Sequence, residues 1–220
     1  SPYSDIAQAI TYTLVPINFA LASFVYPGYL PDYSYVYGNR GNGFSYGWDY
    51  DNQPNARNRA LGSSPDMRYA TFTHMQKQVP SRIWKIELPY GEYTVHTVGG
   101  EPDNFDSSIQ FILNDVITPR VSATTTARWV EFTNTVTVAD GFLTVNSGPL
   151  ATNNKICYID IICPSVAPYL VSEFQDQTIM EDTVRTNLAI FAGGAPPLSY
   201  QWYYNDSPLT GQTNKTLNFD

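Results

Sequence analysis

Residues 135–145 read Thr-Val-Thr-Val-Ala-Asp-Gly-Phe-Leu-Thr-Val. Apolar and polar residues alternate on both sides of Asp140-Gly141, and an Asp-Gly pair between alternating runs is the strongest short-range signal of a β-hairpin. Strand-like runs recur outward from it at residues 84–88, 93–98, 109–113, 129–138, 142–145 and 156–162, with a second turn at residues 88–93. No stretch carries the period of a long helix. Many short strands, punctuated by Gly, Pro, Asn and Asp, define an all-β chain and predict an antiparallel β-sandwich rather than any βαβ arrangement.

At 220 residues, 43% of them hydrophobic and 15% aromatic, the chain can bury a real core and has room for one large or two modest domains. The formal net charge is −8 and Lys and Arg form no cluster, so a phosphate backbone would be repelled and nucleic acid is excluded as a partner. The longest apolar run, residues 20–25, is far too short to cross a bilayer, so no membrane span is expected. No leader pattern opens the chain, which is also how a processed secreted chain reads. Cys157 and Cys163 lie on one predicted strand, where six residues separate their Cα atoms by roughly 20 Å. That is beyond the reach of a disulfide, so both are expected as free, buried thiols.

Prolines 164 and 168 end that strand and mark a boundary. The expected division is an extended segment at 1–16, a sandwich at 17–163 and a second module at 164–220. Strand-like pieces of that module fall at residues 169–174, Ile179, 188–192 and 216–219, and Trp202 after a Gly/Pro turn resembles the core tryptophan of immunoglobulin-like sandwiches. The module stops about two strands short of a seven-strand sandwich, so it is expected as an incomplete Ig-like half. An open half implies either a fragment whose remaining strands were removed or another polypeptide that supplies them, and residues 11–19 form a conceivable donor strand for a neighbouring copy.

Between Tyr26 and Tyr50 nine aromatic residues stand among glycines and asparagines. The glycines and prolines break a helical period and no clean alternation is read across them, which predicts a ring-rich loop. Aromatic faces on a rigid loop suit sugars, whose C–H faces stack on rings while their hydroxyls seek Asn, Asp and backbone partners.

In order along residues 17–162 stand Tyr69-Ala-Thr71, Gly91-Glu-Tyr-Thr-Val95, Gly100-Glu-Pro-Asp-Asn-Phe105, Asp140-Gly-Phe-Leu-Thr-Val145 and Asn153-Asn-Lys-Ile-Cys-Tyr-Ile-Asp-Ile161. This series resembles a malectin-type carbohydrate-binding sandwich of the kind attached to bacterial secreted enzymes and adhesive proteins. The resemblance implies non-catalytic binding of an oligo- or polysaccharide by a secreted or cell-surface protein. The site residues it implies are Tyr69, Glu101, Phe105 and Asn153/Asn154, with Tyr37, Tyr46 and Trp48 arriving from the aromatic loop. The sequence departs from the family in carrying Asn104-Phe105 for a Tyr-Phe pair and Asn153 for the site aspartate. The competing role is a structural subunit of an extracellular fibre or adhesive array.

Other chemistry is weaker. Gly43-Phe-Ser-Tyr-Gly47 has the Gly-x-Ser-x-Gly spacing of serine hydrolases, but the Asn- and Pro-containing residues after it do not begin the required helix. His74 is read as a structurally hydrogen-bonded residue and His96 as a sheet-face residue. No cofactor is expected, the acids of the 101–106 loop being the place where a structural calcium ion would fit.

Overall fold

The computed structural model describes residues 12–171 and 187–218. Residues 1–11, the strand pieces read at 172–174 and Ile179, and Phe219 lie outside the described residues.

Among the described residues the chain is nearly all β, and its main body is a sandwich. With strands numbered along the chain, one sheet has the order β13 (Trp129–Val138), β8 (Gly91–Gly100), β16 (Tyr158–Pro164), β1 (Tyr12–Phe19) and β2 (Leu30–Asp32). The other runs β11 (Val116–Ile117), β10 (Phe111–Leu113), β14 (Phe142–Ser147), β7 (Trp84–Glu87), β4 (Ser45–Trp48) and β3 (Gly38–Asn39). Two small ladders flank them: β15 (Lys155–Ile156) with β6 (Thr71–His74) and β5 (Ala56–Asn58), and β12 (Val121–Ser122) with β9 (Ser108–Ile109). Every second residue of the facing strands enters one core. Val15, Ile17, Phe19, Val136, Val138, Ile159 and Ile161 meet Trp48, Trp84, Ile86, Phe111, Leu143 and Val145.

The hairpin expected at Asp140-Gly141 does not form. β13 pairs with β8 along ten positions, from Trp129 opposite Gly100 to Val138 opposite Gly91. β14 pairs instead with β7 and β10 in the opposite sheet. Asp140-Gly141 is therefore an arch between layers, with Asp140 Oδ1 accepting the Phe142 N–H at 2.9 Å and Gly141 at φ +86°. Both strands alternate because each lines one wall of the same core. Alternation reports a buried face and is silent on the partner strand.

The expected donor strand is likewise corrected. Tyr12 to Asn18 pair antiparallel with β16, and Ile17 to Phe19 pair parallel with β2, so β1 is an internal strand of its own sheet. Val15, Ile17 and Phe19 are buried by it. The boundary drawn between residues 16 and 17 falls inside this strand.

Beyond Pro164 the described strands are short: β17 (Tyr169–Leu170) with β19 (Ala192–Gly193), β18 (Asn187–Ala189) with β22 (Thr216–Asn218), and β20 (Tyr203–Tyr204) with β21 (Ser207–Pro208). Trp202 is buried, and its indole N–H donates to the Asn214 carbonyl at 2.9 Å. This segment touches the sandwich where Tyr90 N–H donates to the Ala192 carbonyl at 3.2 Å and Lys215 Nζ lies 2.6 Å from Glu87 Oε1. Cys157 and Cys163 are free and buried, as their spacing predicts.

Candidate functional site

β8 contains ten residues, so its ends are about 30 Å apart. The sequence-predicted site residues divide between those ends and the core. Tyr69, Glu101, Phe105, Asn153 and Asn154 gather at the Gly100 end, Tyr37 stands near the Gly91 end, and Tyr46 and Trp48 belong to neither.

Tyr46 and Trp48 are 1% and 0% exposed and cannot stack on a ligand, which corrects their assignment. The Trp48 indole N–H donates to Asp32 Oδ1 at 3.0 Å and that of Trp84 to Oδ2 at 2.8 Å, while Tyr46 OH donates to the Pro31 carbonyl. Burial pushes the Asp32 carboxyl up, opposed by these indole donors and the Ser34 N–H. The signal was legible as Phe44-Ser-Tyr-Gly-Trp48, large residues alternating with small ones along an inward-facing strand. Ser45 of the hydrolase-like motif opens this strand, and the first helical element after it is a single 3₁₀ turn, Gln53–Asn55.

Glu101 is also buried, at 2% exposure, and both its oxygens are used. Oε1 accepts a hydrogen bond from the Nζ of Lys155, a lysine with no exposed surface. Oε2 accepts from Asn104 Nδ2 at 3.0 Å and lies 3.4 Å from Arg59 Nε. Burial would raise the Glu101 carboxyl, but the Lys155 and Asn104 hydrogen bonds and the nearby cations outweigh it and hold it below the usual range. Glu101 is therefore an anchor for its loop, not an open acceptor for hydroxyls. Gly100, at φ +141°, lets the chain turn there, since a Cβ would sit 2.3 Å from the Arg128 carbonyl oxygen. Asn154 is buried as well, donating to the Gln110 carbonyl at 2.8 Å and to Ser147 Oγ at 3.2 Å, so it too leaves the contact set.

What remains at the surface of this end is coherent. Phe105 is 49% exposed on the loop that Glu101 anchors, with the Arg128 guanidinium 5.8 Å from its ring centre. Arg128 is itself fixed by donating to the Pro102 carbonyl at 2.6 Å. Asp106 is 65% exposed, lies 3.3 Å from Lys155 Nζ, and accepts from Asn153 Nδ2 at 2.9 Å. Asn153 holds the left-handed conformation, φ +50°, that places its amide there. The Lys155 and Arg59 cations already face the acids of this loop, and among the described residues no three His, Cys, Asp or Glu are placed to hold a metal ion.

Beside this loop, Tyr69 continues the surface. Trp129 Nε1 donates to the Tyr69 carbonyl, and the two rings meet edge-on at 5.7 Å. Tyr158 OH donates to Tyr69 OH at 2.7 Å, which donates to Glu131 Oε1 at 2.9 Å. Arg68, an arginine whose sequence reading is a loop-bracing pair with a nearby acid, does pair with Asp66 at 2.7 Å, and its guanidinium lies 4.8–5.2 Å from the rings of Tyr26, Tyr29 and Tyr158, which that reading does not include. A cation placed among tyrosines by tertiary folding leaves no linear motif.

His96 lies 3.4 Å from Asp160 and 3.1 Å from Glu131. The Asp160 hydrogen bond raises its pKa, burial opposes, and Glu131 adds to the rise. A raised histidine pKa gives stabilisation that is complete below about pH 6.5, the unfolded value, and is lost as pH climbs through the folded one. His96→Gln is expected to destabilise the protein at pH 6 and to converge on the parent at alkaline pH. Denaturant titrations at the two pH values check this, and an equal difference at both contradicts it. His74 behaves oppositely. Burial and the Lys155 charge push it down to about 4, and its Nδ1 has no hydrogen-bond partner among the described residues, contrary to the bond read for it.

No known protein family and no curated protein sequence matches the chain. Several solved structures do. The protein YxiM of Bacillus subtilis is 19% identical with a TM-score of 0.47, covering 68% of this chain and 39% of its own. Beta-glucuronidase 2 of Bacteroides uniformis is 12% identical with a TM-score of 0.47, over 68% of this chain and 17% of that one. The complex of the plant peptide RALF23 with FER and LLG2 contains a chain 13% identical with a TM-score of 0.44, over 80% and 47%. The chain thus spans less than half the length of each of these neighbours, and none of them bears on what it binds.

Proposed function

We propose that this is a malectin-like sandwich serving non-catalytic carbohydrate recognition outside the cell or on its surface, with the contact surface at the Gly100 end of β8. The observation that carries the reading is Phe105: a half-exposed ring held on a loop whose own carboxylate is locked onto a buried lysine. Exposing a large apolar side chain on an anchored loop forgoes burial and leaves a preformed stacking surface. Asp106, Asn153 and the Tyr69–Glu131 pair supply acceptors and donors beside it for hydroxyls. The ligand is an oligo- or polysaccharide and the site works without a cofactor, each stacked ring contributing about 0.5–1.5 kcal/mol. Single-site affinity is then weak, and neighbouring modules raise it through effective concentration.

A glycan array probed with the parent protein and with Phe105→Ala tests this. Retained glycans that the variant loses support recognition, whereas an array on which the parent retains nothing refutes it. The hydroxyl contacts make no demand on a metal, so chelation is expected to leave both binding and the melting midpoint unchanged.

A further inference from the structure

The recognition surface described above leaves the tip of the glycine-rich aromatic segment, Gly43-Phe44, without a role. Gly43 lies against the C-terminal segment, where a Cβ would come within 3.3 Å of Pro197 Cγ, and Phe44 follows it with its ring partly packed on the sandwich core. There, at the Gly91 end of β8, a cleft of about 510 Å³ opens between the sandwich and the C-terminal segment. That volume falls in the range of small-molecule sites, about 300–1,000 Å³, which favour junctions of this kind.

The lining defines the ligand. Phe44, Tyr90 and Tyr200 line it from both bodies, with Asn214 beside them. Among the described residues that line it, the charged ones, Glu87 and Lys215, close on each other, with Lys215 Nζ 2.6 Å from Glu87 Oε1 and Glu87 Oε2 accepting from Tyr37 OH at 3.1 Å. A neutralised pair attracts neither anion nor cation strongly, while rings, phenols and amides together suit a molecule with apolar C–H faces and many hydroxyls. We infer that this cleft is a second binding site, for a short neutral saccharide, built jointly by the aromatic loop and the C-terminal segment. Tyr37 serves it indirectly, by holding Glu87. The inference extends the carbohydrate reading to a different surface, and its fate is separable from that of Phe105.

Titration calorimetry of the full chain with maltotriose, cellotriose and xylotriose, using the parent, Tyr200→Ala, Asn214→Ala and Phe105→Ala, decides it. The expected result is that one trisaccharide binds the parent, that Kd rises roughly two- to tenfold in Tyr200→Ala, and that Phe105→Ala keeps the parental value. Melting midpoints accompany each variant. If Tyr200→Ala melts lower than the parent, the exposed Asn214→Ala takes its place, with the same rise expected. Parental affinity in the cleft variants, with loss only in Phe105→Ala, overturns the cleft and leaves the rim site standing. Absence of binding by the parent, or binding of a proline-rich peptide in place of any trisaccharide, also overturns it.

Discussion

Glu101→Ala is expected to lower the unfolding free energy by about 3–5 kcal/mol, the cost of leaving a buried charge without its partner. Lys155 has no exposed surface, so its ammonium cannot turn to water once the carboxylate is gone. Asp106 stands 3.3 Å away but is 65% exposed, so water weakens its pull. Asp106→Asn is accordingly expected to cost under about 1 kcal/mol. Replacing both members of the pair, as Glu101→Leu with Lys155→Met, is expected to recover most of the loss, because the desolvation penalty vanishes with the charges. The depressed Glu101 carboxyl adds a pH signature: its stabilisation is complete above the unfolded pKa of about 4.3 and fades as pH falls through the folded one. Denaturant unfolding of the two single variants and the double variant checks this, and a Glu101→Ala cost no larger than that of Asp106→Asn refutes the anchor.

The second large effect is expected at Asp32. This buried carboxylate accepts from Trp48 Nε1, Trp84 Nε1 and the Ser34 N–H, the last at 2.7 Å. Asp32→Ala strands all three donors, at about 1–3 kcal/mol for each left unsatisfied, and is expected to cost roughly 3–5 kcal/mol in total. Asp32→Asn is expected to fall between parent and alanine, since its amide keeps one acceptor oxygen and turns an NH₂ toward an indole donor. Calorimetric melting checks the order, and an asparagine variant worse than alanine contradicts it. The same geometry disqualifies Trp48→Ala as a probe of binding. It would remove a core ring that meets Phe19 edge-on at 5.9 Å.

Strand identity was legible in this chain and strand partnership was not. Residues 129–138 read as a strand and are one, because Val130, Val136 and Val138 keep a two-residue period toward the core. The next strand carries the same period toward the same core from the other side, so the Asp-Gly turn looked like a hairpin and is an arch. β1 reads as a conceivable donor strand because nothing local announces β16, whose Tyr158 pairs with Asn18, as its neighbour. The candidate site was legible in part. Phe105 is half exposed, and Asn153 and Tyr69 are partly buried. The malectin resemblance implies Glu101 and Asn154 as contact residues, yet their polar groups are consumed internally by Lys155 and Gln110. Whether a polar residue faces solvent or a buried partner depends on a contact 54 or 44 positions away, which no local pattern encodes.

The central claim is that an exposed ring on an anchored loop meets the sugar. Labelling phenylalanine and following its ring resonances while adding a glycan selected by the array addresses this directly. The account predicts that the Phe105 signals move in proportion to occupancy while those of the buried Phe72 and Phe111 stay in place. Saturating glycan that leaves the Phe105 resonances unmoved would contradict it.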